Sequence, residues 1–238
     1  MSSIFEFIRQ PRKMLRIVVT GSSNTGRSFN IGNRWSWPDW LDSGIHWTYG
    51  RCHYVFNTGI GGQTSRAIRQ RFETDALILQ PNIIFITCGG NDCAPGNGVS
   101  LDEFRDNLTV MARTGQALDD CRVVLQTYYS ADIERLEAGG QTERAAAFPK
   151  YMQAVRDVAA DTGAHLIDHL KRWEPLRLAR VDDYRALMED DFHLNATGQA
   201  VFGLDILSHF GVKTLAPSIQ ADGDEANRYR RLLDELGG

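Results

Sequence analysis

Residues 15–28 read LRIVVTGSSNTGRS. Leu15, Ile17, Val18 and Val19 form a nearly continuous apolar run that stops at Gly21 and gives way to small polar residues. A strand with one wet face alternates apolar and polar side chains, whereas an unbroken run marks a strand covered on both faces, as in a parallel sheet. Working outward, the figure recurs at residues 53–57 (HYVFN, before TGIGG), 83–88 (IIFITC, before Gly89 and Gly90), 123–127 (VVLQT) and 164–167 (AHLI). Helical patterns fit between these runs. One covers residues 64–79, a second follows a capping box of Ser100 and Glu103, a third starts near Pro149, and a fourth follows Asn195. This alternation predicts an α/β fold with one five-stranded parallel sheet covered by helices on both faces. Residues 222–236 are charged and amphipathic, and are expected as a helix outside the core or a frayed tail.

At 238 residues with 42% apolar side chains, residues 1–238 are expected to form a single domain, with a core over about 15–210 and a helical extension over about 212–238. A net charge of −4 gives no general attraction to phosphate backbones, so no nucleic-acid partner is expected. No apolar run approaches the roughly 20 residues of a membrane span, and no membrane partner is expected. The start, MSSIFEFIRQPRK, is interrupted by Glu6 and Arg9 and does not read as a signal peptide. Cys52, Cys88, Cys93 and Cys121 lack CxxC spacing, which points to reduced thiols and a cytoplasmic setting.

Ligands of such sheets bind at the carboxyl ends of the strands. The chemically suggestive stretches all fall there: GSSNTGRS, NTGIGG and GGND. Residues 21–28 admit three readings. They nearly match a phosphate-binding loop, with Arg27 in place of the lysine; they could present a nucleophilic serine; or they are a turn without chemistry. Asp190 and His193, three apart, supply what a serine needs: a base, and a carboxylate that orients it. Acyl transfer also develops an oxyanion. Asn91 offers a side-chain amide to it and Gly62 an unobstructed backbone N–H, against plainer readings as a strand cap and a turn glycine. Of the other histidines, His46, His53, His165 and His169 lie beside strands or the tryptophan-rich insertion, and His209 sits on a helix. Trp35, Trp37, Trp40 and Trp47 crowd the insertion between the first two strands. That loop is read either as an aromatic wall for substrate, with Trp37 and Trp40 as contacts, or as a flap packed onto the body.

Together the four blocks resemble the SGNH (GDSL-like) hydrolase superfamily: Gly21-Ser22-Ser23, then residues 57–62, then Gly89-Gly90-Asn91-Asp92, then Asp190-x-x-His193. The resemblance implies a flavodoxin-like three-layer α/β/α sandwich and ester hydrolysis without metal or organic cofactor. It implies Ser23 as nucleophile, the N–H groups of Ser23 and Gly62 with the Asn91 amide as oxyanion hole, His193 as base and Asp190 as its orienting carboxylate. Ser22 stands where the family has aspartate, and restoring an aspartate there is expected to be tolerated or beneficial. The G-x-S-x-G elbow of α/β-hydrolases is missing from the sequence. The expected function is a serine ester hydrolase cleaving a small acyl ester through an acyl-enzyme, with an acylated carbohydrate favoured. The alternatives are a nucleotide-binding protein of the phosphate-loop kind and a catalytically silent binding module on the same fold.

Overall fold

The structure, a computed structural model, describes residues 4–9, 14–26, 35–49, 53–212 and 220–237. Five parallel strands, β1 (Leu15–Gly21), β2 (His53–Asn57), β3 (Ile83–Thr87), β4 (Arg122–Gln126) and β5 (His165–Ile167), lie in the order β2-β1-β3-β4-β5. Alternate side chains of each strand enter different cores. Leu15, Ile17, Val19, Ile83, Phe85 and Val124 face one helical layer, and Val18, Ile84, Ile86, Val123 and Leu125 the other. That period of two is why the strands read as unbroken apolar runs.

The first layer comprises α1 (Ile4–Arg9), α2 (Trp37–Tyr49), α8 (His169–Ala179), α9 (Val181–Arg185), α10 (Ala196–His209) and α11 (Gln220–Gly237). The second comprises α3 (Ser65–Gln70), α4 (Phe72–Asp75), α5 (Leu101–Gln116), α6 (Ile133–Ala138) and α7 (Thr142–Thr162). This is the flavodoxin-like three-layer sandwich expected from the sequence. Ser100 caps α5 as its spacing predicts, accepting from Glu103 N at 3.1 Å.

Four local expectations are corrected. Residues 64–79 do not form one helix but α3, α4 and a 3₁₀ turn at Leu77–Leu79. Pro149 does not open α7; it lies inside it. The bond its ring removes is offset by the burial of Ala145, Phe148, Met152 and Val155 along the same helix. The tryptophan-rich insertion contains a helix, α2, rather than a loop. Nor is α11 peripheral, since Ala226, Tyr229 and Leu233 are buried in the core shared by α8 and α10.

Cys88, Cys93 and Cys121 are buried free thiols; Cys52 lies outside the described residues. Among the described residues no helix is long and apolar enough to cross a membrane.

Candidate active site

β1 pairs with β2 on one side and β3 on the other, so the chain reverses its direction of winding at β1. A crevice opens at the carboxyl end of such a strand. There the backbone turns sharply, with Thr25 N and Gly26 N both donating to Ser22 O at 3.0 and 2.8 Å. Ser23 is half-buried at the crest, and its Oγ lies 2.8 Å from His193 Nε2.

His193 is presented by a loop that its own sequence closes. Met188 and Leu194 form an antiparallel bridge, and Glu189 N donates to His193 O at 2.8 Å. Within the loop, Asp190 Oδ1 accepts from Phe192 N at 2.7 Å and His193 N at 2.6 Å. Its Oδ2 lies 2.7 Å from His193 Nδ1. Asn195 then caps α10 through Gly198 N at 3.0 Å. Burial alone would raise the Asp190 carboxyl, but the bonds from the imidazole and from Phe192 N outweigh it and hold it below the ordinary carboxylate range. An ionised carboxylate only accepts, so Nδ1 carries the hydrogen and Nε2 is left to accept from the Ser23 hydroxyl.

The second and third sequence blocks meet this turn. Ile60 N donates to Gly21 O at 3.1 Å, and a Cβ on Gly61 would lie 3.8 Å from Ser23 Cβ. Gly62, at φ +77°, takes a left-handed conformation that favours glycine and leaves its Cβ direction open. Asn91 Nδ2 donates to Gln63 O at 2.9 Å, which uses one of its two amide hydrogens and leaves the second. Asp92 ties the same loops from below, its Oδ1 accepting from Ser65 N at 2.8 Å at the start of α3. Its other oxygen is buried without a partner, and burial raises this carboxyl.

Trp37 and Trp40 require a correction as substrate contacts. Trp37 is fully buried, edge-on to Phe85 and Phe202, and its Nε1 donates to Asn24 O at 3.1 Å. Trp40 is 4% exposed and packs against Gly203 of α10. Their place on the inner face of α2 is the reason: the helix carries both indoles into the core between α10 and the sheet. The phosphate-loop reading is also corrected. In such a loop backbone N–H groups face the anion, whereas Thr25 N and Gly26 N are occupied by Ser22 O. Arg27 and Ser28 lie outside the described residues.

Two residues beside the site carry no mark in the sequence reading. Tyr128 OH lies 2.8 Å from Ser22 Oγ, and Tyr129 OH lies 2.7 Å from Asn24 Oδ1. The available signal was position, since Tyr128-Tyr129 directly follow the fourth strand run, at the carboxyl end where the other blocks sit. His169 is buried against Phe202 with Nε2 3.1 Å from Gln126 Oε1, and burial lowers its imidazole well below the ordinary range. Among the described residues no group of three or more His, Cys, Asp or Glu is arranged to hold a metal ion.

The fold is similar to that of an acetylxylan esterase from Geobacillus stearothermophilus, with 19% identity, a TM-score of 0.69, and coverage of 85% of this chain and 97% of that one. Variants of that esterase at a serine, an aspartate and a histidine are described as catalytic mutants. An uncharacterized lipoprotein of Bacillus subtilis (strain 168), YqeF, is 38% identical over 39% of this chain and 40% of its own length. The chain thus matches well under half of that curated relative. A family model covers residues 19–201, from β1 into α10, and takes in all four blocks: the chain belongs to the GDSL-like Lipase/Acylhydrolase family.

Proposed function

We infer that the protein is a serine ester hydrolase that cleaves a small acyl ester through an acyl-enzyme intermediate. The observation that carries this reading is the continuous line from Ser23 Oγ to His193 Nε2 at 2.8 Å and from His193 Nδ1 to Asp190 Oδ2 at 2.7 Å. Ser23 attacks the ester carbonyl while His193 takes its proton, and the protonated imidazole then returns a proton to the departing alkoxide. Water, deprotonated by His193, releases the acid. Asp190 holds the imidazole in the required tautomer and stabilises its charged form. The N–H groups of Ser23 and Gly62 and the free amide hydrogen of Asn91 form the oxyanion hole.

An acetylated carbohydrate is the favoured substrate, because the structural neighbour is described as an acetylxylan esterase. A reducing, cytoplasmic setting is part of the proposal and draws on the three buried free thiols. The test is a panel of acyl esters of increasing chain length, including acetylated xylo-oligosaccharides, with an organophosphonate to trap the nucleophile. Turnover strongest on acetyl esters, with label on Ser23, is expected. A folded protein that hydrolyses none of them and takes up no label would overturn the reading.

A further inference from the structure

The chain leaving β4 carries two adjacent buried tyrosines, Tyr128 and Tyr129, whose rings stack at 15° with centroids 6.1 Å apart. Though neighbours in the chain, they point into opposite layers. Tyr128 packs with Phe148 and Phe192 in one core, and Tyr129 with Trp173 and Phe202 in the other. Their hydroxyls nevertheless converge on the turn that carries Ser23. Tyr128 OH is 2.8 Å from Ser22 Oγ, and Tyr129 OH is 2.7 Å from Asn24 Oδ1. The residue on each side of Ser23 is therefore held by a phenol.

Tyr129 also reaches the histidine loop. Its OH lies 2.8 Å from Phe192 O, a carbonyl to which Asn24 Nδ2 donates at 3.4 Å. That carbonyl belongs to the peptide whose N–H, on His193, is held by Asp190. Both edges of the peptide before His193 are thus fixed, one by Asp190 and the other by the Tyr129–Asn24 pair. Burial pushes both phenols above their ordinary range, which favours the protonated hydroxyls.

Building on the reading of Ser23 as nucleophile and His193 as base, we propose that Tyr128 and Tyr129 are positioning residues, gripping Ser22 and Asn24 from the two layers while Tyr129 sets the spacing between the serine turn and the histidine turn. Their hydroxyls bond to Ser22, Asn24 and Phe192 rather than to Ser23 Oγ or the imidazole. They act through the backbone, and a misplacement of about 1 Å between reacting groups costs on the order of 10²-fold in rate.

The experiment uses the full chain with Tyr129→Phe and Tyr128→Phe. It reads kcat and KM on p-nitrophenyl acetate, melting temperature, and the NMR resonance of the His193 Nδ1 proton. Tyr129→Phe is expected to lower kcat by about tenfold to a hundredfold at nearly constant KM, and to shift or broaden that resonance. Tyr128→Phe is expected to lower kcat less, with no further loss when Ser22→Ala is added, because the two hydroxyls serve one bond. A kcat within twofold of wild type and an unchanged resonance in Tyr129→Phe would overturn the proposal, whatever happens to melting temperature. Should the wild type cleave no ester and take up no phosphonate, the esterase reading fails by itself. The resonance then decides the positioning role: a shift in Tyr129→Phe supports it, and no shift overturns it.

Discussion

Asp190 holds His193 twice: one carboxylate oxygen accepts its backbone N–H at 2.6 Å, and the other lies 2.7 Å from Nδ1 of its imidazole. The double hold fixes where the ring is and which nitrogen carries the hydrogen. Asp190→Asn keeps one acceptor oxygen but can set a donor NH2 opposite Nδ1, which favours the wrong tautomer of the ring. It is expected to lower kcat by about 10⁴-fold, as is His193→Ala, with no comparable further loss in the double variant. Steady-state kinetics on a short-chain ester checks this, and wild-type activity in His193→Ala would refute the assignment.

The same carboxylate affects acid stability. Its folded-state value is lowered, so the stability it contributes is present above the unfolded carboxyl value of about 4 and is lost as pH falls through the lower folded value. Asp92 has the opposite sign. Burial raises it, so the fold favours its protonated form, and stability is lost as pH rises from the unfolded value through the raised one. Asp92→Asn, which mimics the neutral form, should therefore gain in melting temperature over wild type as pH goes from 4 to 7. Asp190→Asn should flatten the decline of melting temperature below pH 4. Thermal melts across pH test both, and a constant offset for Asp92→Asn would contradict the first.

Asn91→Ala removes the proposed oxyanion donor together with the bond to Gln63 O. We expect kcat to fall about 10²–10³-fold with a smaller change in KM. A raised KM at unchanged kcat would make Asn91 a substrate-binding residue instead.

Organophosphonate label should map to Ser23 and vanish in Ser23→Ala. Ser22 is 2% exposed and faces the Tyr128 hydroxyl, whose phenol is raised by burial and, to a lesser degree, by nearby Cys88 and Asp92. An aspartate in that position would bury a second carboxylate near Asp92, itself with an unpartnered oxygen. Ser22→Asp is thus expected to destabilise the protein, contrary to the tolerance that the family pattern suggests. A melting temperature equal to wild type would restore the simpler expectation.

Trp37→Ala should act on stability rather than on substrate choice. Removing a fully buried indole typically costs about 3–5 kcal/mol, and here it also releases the carbonyl of Asn24 beside Ser23. The expected result is a large drop in melting temperature and lower kcat, with the order of preference across an ester panel unchanged. A shifted preference at wild-type stability would return Trp37 to the substrate pocket.

Strand order in the chain, burial on both faces of the sheet and the location of GSS, GGND and DxxH at strand ends or in a late loop are local properties. Hydrophobic periodicity and turn residues express them within a few positions, so residues 15–20, 53–57 and 83–88 announced β1, β2 and β3 without reference to anything distant. The Asp190–His193 bond was legible for the same reason, since its partners are three residues apart. The fate of an amphiphilic side chain is different. Trp37 and Trp47 share α2, yet one is fully buried and the other half exposed, because α10 and the sheet cover only one face of that helix. Ser22 finds Tyr128 across 106 positions and Ser23 finds His193 across 170. No periodicity spans such separations: the Ser23–His193 pair was anticipated only through the family resemblance, and the Ser22–Tyr128 bond only tertiary structure could decide, because it exists only once the sheet has brought the ends of β1 and β4 to one edge.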